Sequence, residues 1–149
     1  MLVDSHSHLF LEEFSDDLPQ VMQRAHDADV THIFMPNIDS TTIGPLLSVC
    51  NTYKGFCFPM IGLHPTSVNE SYEKELDIVA HQLAPFNEYV AIGEIGLDLY
   101  WDKTFLREQL IVFEKQIEWA LEYHLPIVVH CREAFEYIYK VLEPYKKSG

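Results

Sequence analysis

Two histidines lie one residue apart near the start of the chain, in the segment DSHSH at residues 4–8. Side chains at positions i and i+2 of an extended strand point to the same side, so His6 and His8 can reach one bound ion. Imidazole is a good ligand for zinc and other late first-row metals. Taken alone, this pattern is as typical of two solvated histidines as it is of a metal site. Asp4 is placed either to orient one of the rings or to end the strand.

Glu94 occupies an apolar segment between Gly93 and Gly96. An unpaired buried carboxylate is costly, so this side chain needs a partner. Its two oxygens could each bind a cation, which would make it a bridging ligand. The alternative is a buried salt bridge with Arg107 or Arg132.

Four further residues complete the set of candidate site residues. His130 ends the apolar run PIVV at residues 126–129, where a lone histidine is more typical of a hydrogen-bonded core residue. Arg132 carries a guanidinium fork suited to phosphate oxygens, with a simple ion pair as the alternative. His64 is held extended by the proline that follows it, and we expect it to contact substrate rather than metal. Asp98 is expected to fix loop geometry.

The elements that must position these residues alternate regularly. Apolar runs of strand length, near residues 2–3, 32–35, 56–63, 89–95 and 126–130, are each followed by a segment of helical period. Ser15 is a candidate N-cap for the first helix. Apolar strands joined by helices imply a parallel sheet covered by helices, an α/β fold. Two architectures fit: an open doubly wound sheet, or about five of the eight βα units of a (β/α) TIM-type barrel of about 250 residues.

A common position unites the candidate residues. His6, His8, His64, Glu94 and His130 all fall at the carboxyl ends of predicted strands. In a parallel α/β fold, that edge carries the loops that build active sites. Because four separate strands bring such residues to one edge, the metal site is favoured over the separate structural explanations.

The composition of the chain argues against several classes of function. The 149 residues include 23 acidic and 10 basic side chains, for a formal charge of −13, which repels a phosphate backbone at long range. This argues against a high-affinity, non-specific nucleic-acid binder. The chain has no apolar run near the roughly 18 residues of a membrane span, and its first residues do not predict a secretory signal. It also lacks a Gly-rich phosphate loop and a Gly-x-Ser-x-Gly elbow, which disfavours nucleotide-dependent transfer and serine hydrolysis.

The number and spacing of the cysteines predict the redox environment of the protein. Cys50, Cys57 and Cys131 are odd in number and show no Cys-x-x-Cys spacing. They predict reduced thiols in a cytoplasmic protein rather than a disulfide framework or a zinc knuckle. We expect Cys131 to be a buried thiol.

Four segments together carry a family resemblance: DSHSH at 4–8, GLHP at 62–65, GEIGLD at 93–98 and PIVVHCR at 126–132. In order and spacing they resemble the TatD family of metal-dependent deoxyribonucleases, which belongs to the amidohydrolase superfamily and has a TIM-barrel fold. The resemblance covers essentially the whole chain. GEIGLD is its most specific element, whereas His-x-His is shared by the wider superfamily.

The resemblance implies a role for each residue. His6 and His8 would bind one divalent metal ion, His130 a second, and Glu94 would bridge the two at the catalytic centre. The ions would be zinc, magnesium or manganese. His64 and Arg132 would place the phosphate of DNA or of a short oligonucleotide, bound transiently.

The family pattern continues for three further βα units, which supply another metal-binding histidine and a late aspartate. We therefore expect residues 1–149 to form a single domain, the N-terminal portion of a hydrolase barrel. An incomplete barrel would expose strand edges and core side chains, which favours self-association. A hydrolase of a small ester or amide, and a non-catalytic metal-binding fragment, are the alternative functions.

Overall fold

A computed structural model describes residues 1–83 and 88–146. Its strands are β1 (Leu2–Asp4), β2 (Val30–Pro36), β3 (Cys57–Met60), β4 (Ile92–Asp98) and β5 (Ile127–Arg132). Its α-helices are α1 (Leu18–Asp27), α2 (Ser40–Thr52), α3 (Tyr72–Gln82), α4 (Leu106–Glu122) and α5 (Phe135–Leu142). Within the described ranges, no helix has both the length and the apolar character needed to cross a bilayer.

The strands pair in chain order, and every pairing is parallel. β1, β2 and β3 form one run, and β4 pairs with β5. A parallel bridge between Ile61 and Ile92 joins the two runs, supported by a 2.8 Å hydrogen bond from the Gly93 amide to the Ile61 carbonyl. A doubly wound sheet reverses its strand order at a switch point. The sequential order found here is instead that of a TIM-type barrel.

The helices cover one face of this curved sheet. In β2, Ile33 and Met35 are buried in a cluster with side chains of α1 and α2, whereas the alternate residues His32 and Phe34 lie on the other face and are half-buried. There the His32 ring stacks on Phe58 with centroids 5.2 Å apart. A second, larger cluster packs β4 and β5 against α3, α4 and α5.

Several predicted element boundaries differ from the structure. The third strand, predicted over residues 56–63, is observed only at Cys57–Met60. The first α-helix begins at Leu18, and Ser15 instead closes a preceding 3-10 helix (Glu12–Phe14) by donating its amide hydrogen bond to the Glu12 carbonyl. The fourth strand is predicted over residues 89–95 and is observed at Ile92–Asp98. Pairing with β5 extends the ladder as far as Asp98 opposite Arg132. Glu94 therefore lies within the strand, and Asp98 ends it.

The prediction of a buried Cys131 is wrong, because its side chain is exposed. Cys131 is paired with Leu97 of β4 on one side, and no strand in the described part of the chain lies on its other side. β1 is also accessible at the opposite edge of the sheet, where Leu2 and Val3 are 58% and 50% exposed.

Candidate metal centre

The carboxyl ends of the strands bring the five predicted residues together around Glu94. The Glu94 Oε2 atom lies 2.9 Å from His6 Nε2 and 3.8 Å from the Nε2 atoms of His8 and His64. Its Oε1 atom lies 2.9 Å from His130 Nδ1. The carboxylate thus stands at the centre of four imidazoles. Among the described residues, neither predicted arginine forms an ion pair with it.

The first two histidines form one half of the cluster. Their Nε2 atoms lie 3.2 Å apart. His8 Nδ1 lies 3.0 Å from the Pro36 carbonyl oxygen, so Nδ1 carries the proton and donates, which leaves the Nε2 lone pair directed into the cluster. Asp4 accepts a hydrogen bond from the backbone amide of His6 at 3.1 Å. It therefore orients the backbone of the segment rather than a ring.

His130 forms the other half and lies between two carboxylates. Its Nδ1 atom faces Glu94, and its Nε2 atom donates to Asp98 Oδ2 at 2.9 Å. The other oxygen of Asp98 accepts from the Tyr100 amide at 3.1 Å. Asp98 therefore fixes the loop, as predicted, and also holds the His130 ring, a role that the sequence analysis missed. The even spacing of Glu94 and Asp98 along one strand was an available signal, because it places both on one face.

His64 differs from the other histidines in its hydrogen bonds. Its Nδ1 atom accepts from the Thr66 amide at 3.2 Å and lies 2.7 Å from the Thr66 hydroxyl. A neutral His64 therefore carries its proton on Nε2, which lies 3.2 Å from His130 Nδ1. Burial lowers the pKa of His64 to about 4, so the ring is neutral near pH 7. A neutral ring with Nε2–H is a hydrogen-bond donor.

The protonation states of the other groups follow from their surroundings. Burial would raise the pKa of Glu94, but the hydrogen bond from His130 and the neighbouring imidazoles outweigh it, and the net pKa is lowered. Burial and the nearby His6 lower the pKa of His8. The hydrogen bond to Glu94 and that to Asp98 raise the pKa of His130 against the effect of burial. Near neutral pH, Glu94 is a carboxylate and His8 a neutral imidazole.

The nitrogen and oxygen atoms of this cluster are suitable ligands for divalent cations. In two groups, His6 with His8 and Glu94, and His64 with Glu94 and His130, one ligand atom of each residue lies within 4.8 Å of the others. Both groups combine two imidazoles with the same carboxylate. Such a set suits zinc and, through its carboxylate, extends to manganese and magnesium.

Arg132 stands at the rim of the cluster. Its backbone carbonyl accepts from the Leu99 amide at 2.9 Å. Its guanidinium carbon lies 3.9 Å from the centroid of the Tyr100 ring and 5.2 Å from that of Trp101. Both distances are within the range of cation–π attraction. The side chain is exposed, so its hydrogen-bonding fork is accessible to a ligand.

Two buried glutamines of α4 hold the strand ends, and the sequence analysis missed them. The Gln116 amide pairs with both backbone groups of Leu63, accepting from the N–H at 2.6 Å and donating to the carbonyl at 3.2 Å. Gln109 pairs in the same way with Asp98, at 3.0 and 3.2 Å. Each amide satisfies groups that a neighbouring strand would otherwise pair. The backbone beside His64 and at Asp98 is thereby fixed.

The signal for these glutamines was present in the helix pattern. Residues 109 and 116 are seven positions apart and share the apolar stripe of α4 with Phe113 and Ile117. A polar residue on the buried side of an amphipathic helix indicates a specific hydrogen-bond partner. The partners themselves lie far away in the sequence, since Gln116 and Leu63 are separated by 53 residues.

Gly96 permits the close approach of β4 and β5 at the site. Its φ angle is +136°, a conformation that residues with a side chain rarely adopt. A Cβ atom there would collide with the backbone carbonyl of His130. Glycine at this position therefore lets the two strands present Glu94 and His130 side by side.

Comparison with known proteins identifies the family of this chain. The sequence model of the TatD-related DNase family matches residues 3–149. The chain belongs to this family. Its fold is accordingly the TIM-barrel type, represented over the described residues by five βα units.

Relatives in the family cover almost the whole chain. A Bacillus subtilis protein, the uncharacterized metal-dependent hydrolase YabD, is 36% identical over 143 residues, which are 96% of this chain and 55% of that protein. The 3'-5' ssDNA/RNA exonuclease TatD of Pantoea vagans is 32% identical over 133 residues, 89% of this chain and 51% of that protein. The chain thus spans about half the length of the curated relatives it matches.

A solved structure of a related protein has a similar fold over almost the whole of this chain. The crystal structure of YjjV, a TatD homologue from Escherichia coli K12, superposes with a TM-score of 0.87 at 28% sequence identity. The match covers 97% of this chain and 56% of that one. The described strands and helices therefore correspond to about half of a family member's fold.

Proposed function

We propose that the residues around Glu94 form a two-cation centre, and that the protein is a metal-dependent hydrolase that cleaves phosphodiester bonds of DNA. The observation that carries this proposal is the position of the Glu94 carboxylate. One oxygen lies 2.9 Å from His6 Nε2, and the other lies 2.9 Å from His130 Nδ1. A carboxylate that faces imidazoles on both sides is the arrangement expected of a ligand that bridges two ions.

Each residue has a distinct part in the proposed centre. His6 and His8 would hold one divalent cation, His130 would hold the other, and Glu94 would be a ligand to both as the catalytic carboxylate. Zinc, magnesium and manganese are the candidate ions. When bound, such cations lower the pKa of water and neutralise charge on phosphoryl oxygens.

His64 and Arg132 are proposed to place the phosphate. The neutral His64 ring can donate its Nε2 hydrogen to a phosphoryl oxygen, and Arg132 offers two parallel N–H groups. The stacking of Arg132 on Tyr100 at 3.9 Å restricts the arginine before any ligand arrives. Less conformational freedom is then lost on binding.

Two observations support a nucleic-acid substrate: the chemical groups of the site and the name of a relative. A phosphodiester suits a site with cations, an arginine and a neutral imidazole donor. The name of the Pantoea vagans relative includes single-stranded DNA and RNA, which supports a nucleic-acid substrate. The formal charge of −13 disfavours long contacts with a polyanion, so we expect a strand end or a short oligonucleotide, bound transiently.

The proposal is tested by metal content and hydrolysis together. The purified full-length protein should bind about two equivalents of divalent metal by elemental analysis and should shorten a labelled single-stranded oligonucleotide. Glu94→Gln should lower both the metal content and the cleavage rate, and a chelator should abolish cleavage in the parent protein. Glu88→Gln, at an exposed glutamate away from the cluster, is the matched control and should change neither.

The alternatives correspond to different outcomes. Cleavage that resists chelators would refute the mechanism. Hydrolysis of small esters or amides, with no action on DNA, would favour another hydrolase of the superfamily. Bound metal without hydrolysis of any substrate would favour a non-catalytic metal-binding protein.

A further inference from the structure

We propose that the cavity beside Asp98, with the exposed ring of Trp101 in its wall, is a stacking subsite for a nucleobase of single-stranded nucleic acid. The inference rests on the proposed function and adds to it a second contact with the substrate, separate from the phosphate. It assigns a role to an aromatic side chain that belongs to neither the core nor the metal centre.

The cavity lies next to the candidate metal centre, because two residues of its wall contact histidines of that centre. It has a volume of about 350 Å³, and its wall includes Thr66, Asp98 and Trp101. Thr66 is the hydrogen-bond partner of His64, and Asp98 holds the ring of His130. A substrate with its phosphate at Glu94 therefore has this cavity as an immediate neighbour.

The wall is suited to a flat aromatic ligand. Pro65, Val68, Trp101 and Phe105 supply apolar surface, and Trp101 is 72% exposed. A large indole left in water is a favourable surface for stacking, because every base presents a π-face and the contact does not depend on base identity.

The two side-chain amides in the wall already have hydrogen-bond partners within the protein. Gln109 is paired with the backbone of Asp98. Asn69 donates to the Ser67 carbonyl and accepts from Ser71. Because these amides already form hydrogen bonds within the protein, they are poorly placed to form hydrogen bonds with the edge of a base. The subsite should accept any base.

Charge distinguishes a base from a phosphate as the occupant. The wall includes the acidic residues Asp98 and Asp102. The exposed carboxylate of Asp102 would repel a phosphate group but tolerate a neutral ring. The positive charge lies outside the wall, on Arg132, whose guanidinium carbon is 5.2 Å from the centroid of the Trp101 ring. The arrangement fits a strand that passes its phosphates to Arg132 and the metal centre and turns one base toward Trp101.

The test compares a strand with bases and a strand without them. Fluorescence anisotropy would measure the affinity of the protein for labelled, hydrolysis-resistant phosphorothioate oligothymidylate and for an abasic strand of the same length. The parent protein should prefer the strand that carries bases. Trp101→Ala should weaken that binding about tenfold and leave the abasic strand unaffected, whereas Trp101→Tyr should retain most of the preference.

Because Trp101 is exposed, its removal should leave folding intact, and a matched control addresses this point directly. Tyr123→Ala removes another partly exposed aromatic ring, 37% exposed at the end of α4, and should leave the preference unchanged. Equal affinity for the two strands, no binding of either, or a preference that survives Trp101→Ala would overturn the subsite.

The outcome separates this inference from the proposed function. A Trp101→Ala protein that binds both strands as the parent does, while chelator-sensitive cleavage continues, would contradict the stacking subsite alone. Binding that depends on Trp101 without any cation-dependent cleavage would support the subsite and contradict the hydrolase.

Discussion

Asp98 and His130 are joined across neighbouring strands by a 2.9 Å hydrogen bond from the ring Nε2 to the carboxylate Oδ2. The contact fixes the ring so that its other nitrogen faces Glu94 at 2.9 Å. Asp98 is only 3% exposed and receives a second hydrogen bond from the Tyr100 amide. A carboxylate held this firmly selects both the orientation and the tautomer of the histidine.

Weakening this contact should lower metal affinity. Asp98→Asn preserves the shape of the side chain but replaces the charged acceptor with an amide, so His130 is held less strongly. We expect the affinity for divalent metal to fall about tenfold or more, measured by competition with a chromophoric chelator. Asp77→Asn, at an exposed position of α3, is the control. Unchanged affinity in Asp98→Asn would contradict the positioning role.

Gln116 should contribute to stability through the backbone it satisfies. Gln116→Met keeps a similar volume but leaves the amide and carbonyl of Leu63 without their buried partner. The free energy of unfolding should fall by about 2 kcal/mol, measured by urea denaturation. Gln20→Met, on an exposed turn of α1, should change it by less than about 0.5 kcal/mol. Similar effects at the two positions would argue against the backbone contact.

Gly96 and Gly44 should differ in how strongly an alanine substitution destabilises the protein. Gly96→Ala forces a side chain into a positive-φ conformation and against the His130 carbonyl, so unfolding should become easier by more than about 1 kcal/mol. Gly44 lies within α2, where an added Cβ atom would meet open space beyond its chain neighbours. Gly44→Ala serves as the control and should change the free energy of unfolding by less than about 1 kcal/mol, because the gain in helix propensity is opposed by the contact of the new Cβ atom with Pro45. Thermal denaturation measures both, and a stable Gly96→Ala protein would contradict the close strand approach.

The three thiols should differ in reactivity. Burial raises the pKa of Cys50 to about 12 and that of Cys57 to about 11, whereas Cys131 is exposed. A thiol reagent at pH 8 should modify one equivalent rapidly and two more only after denaturation. Cys131→Ser should remove the rapid phase. Fast reaction of a second thiol in the folded protein would contradict the described burial.

The two buried thiols, Cys50 and Cys57, should make the folded protein less stable at alkaline pH. Their folded pKa values lie above the ordinary value of 9.0, so at higher pH the folded state binds more protons than the unfolded chain. The free energy of unfolding should therefore fall as pH rises above about 9. Urea denaturation from about pH 8 to about pH 10.5 measures the effect. Cys50→Ala should reduce the slope, and an unchanged slope would contradict this origin.

Self-association of the 149-residue chain remains a prediction. Leu2 and Val3 are exposed on β1, and Cys131 is exposed on β5. Accessible strand edges favour pairing with another chain. Light scattering should give a mass above the 17.3 kDa of one chain, and Val3→Lys should shift it toward that value. A monomer at all concentrations would contradict the prediction.

Local patterns in the sequence were sufficient for part of this description. The alternation of strands and helices follows from short-range apolar periodicity, as in α4 with its buried Phe113 and Ile117. The positions of Glu94 and His130 on strands, and of His6 just after β1, also follow, because a residue next to an apolar run can be recognised without its spatial neighbours. Boundaries were less certain, as the start of α1 and the extension of β4 to Asp98 illustrate, since each depends on contacts made elsewhere in the chain.

Only the tertiary structure decided which groups meet. The sequential strand order depends on pairings such as Ile61 with Ile92, and local propensity does not distinguish these from the pairings of a doubly wound sheet. The hydrogen bonds of Gln116 to Leu63 and of Asp98 to His130 join residues 53 and 32 positions apart. Side-chain chemistry is a local property that sequence determines, whereas the partner of a buried polar group is set by the packing of the whole chain.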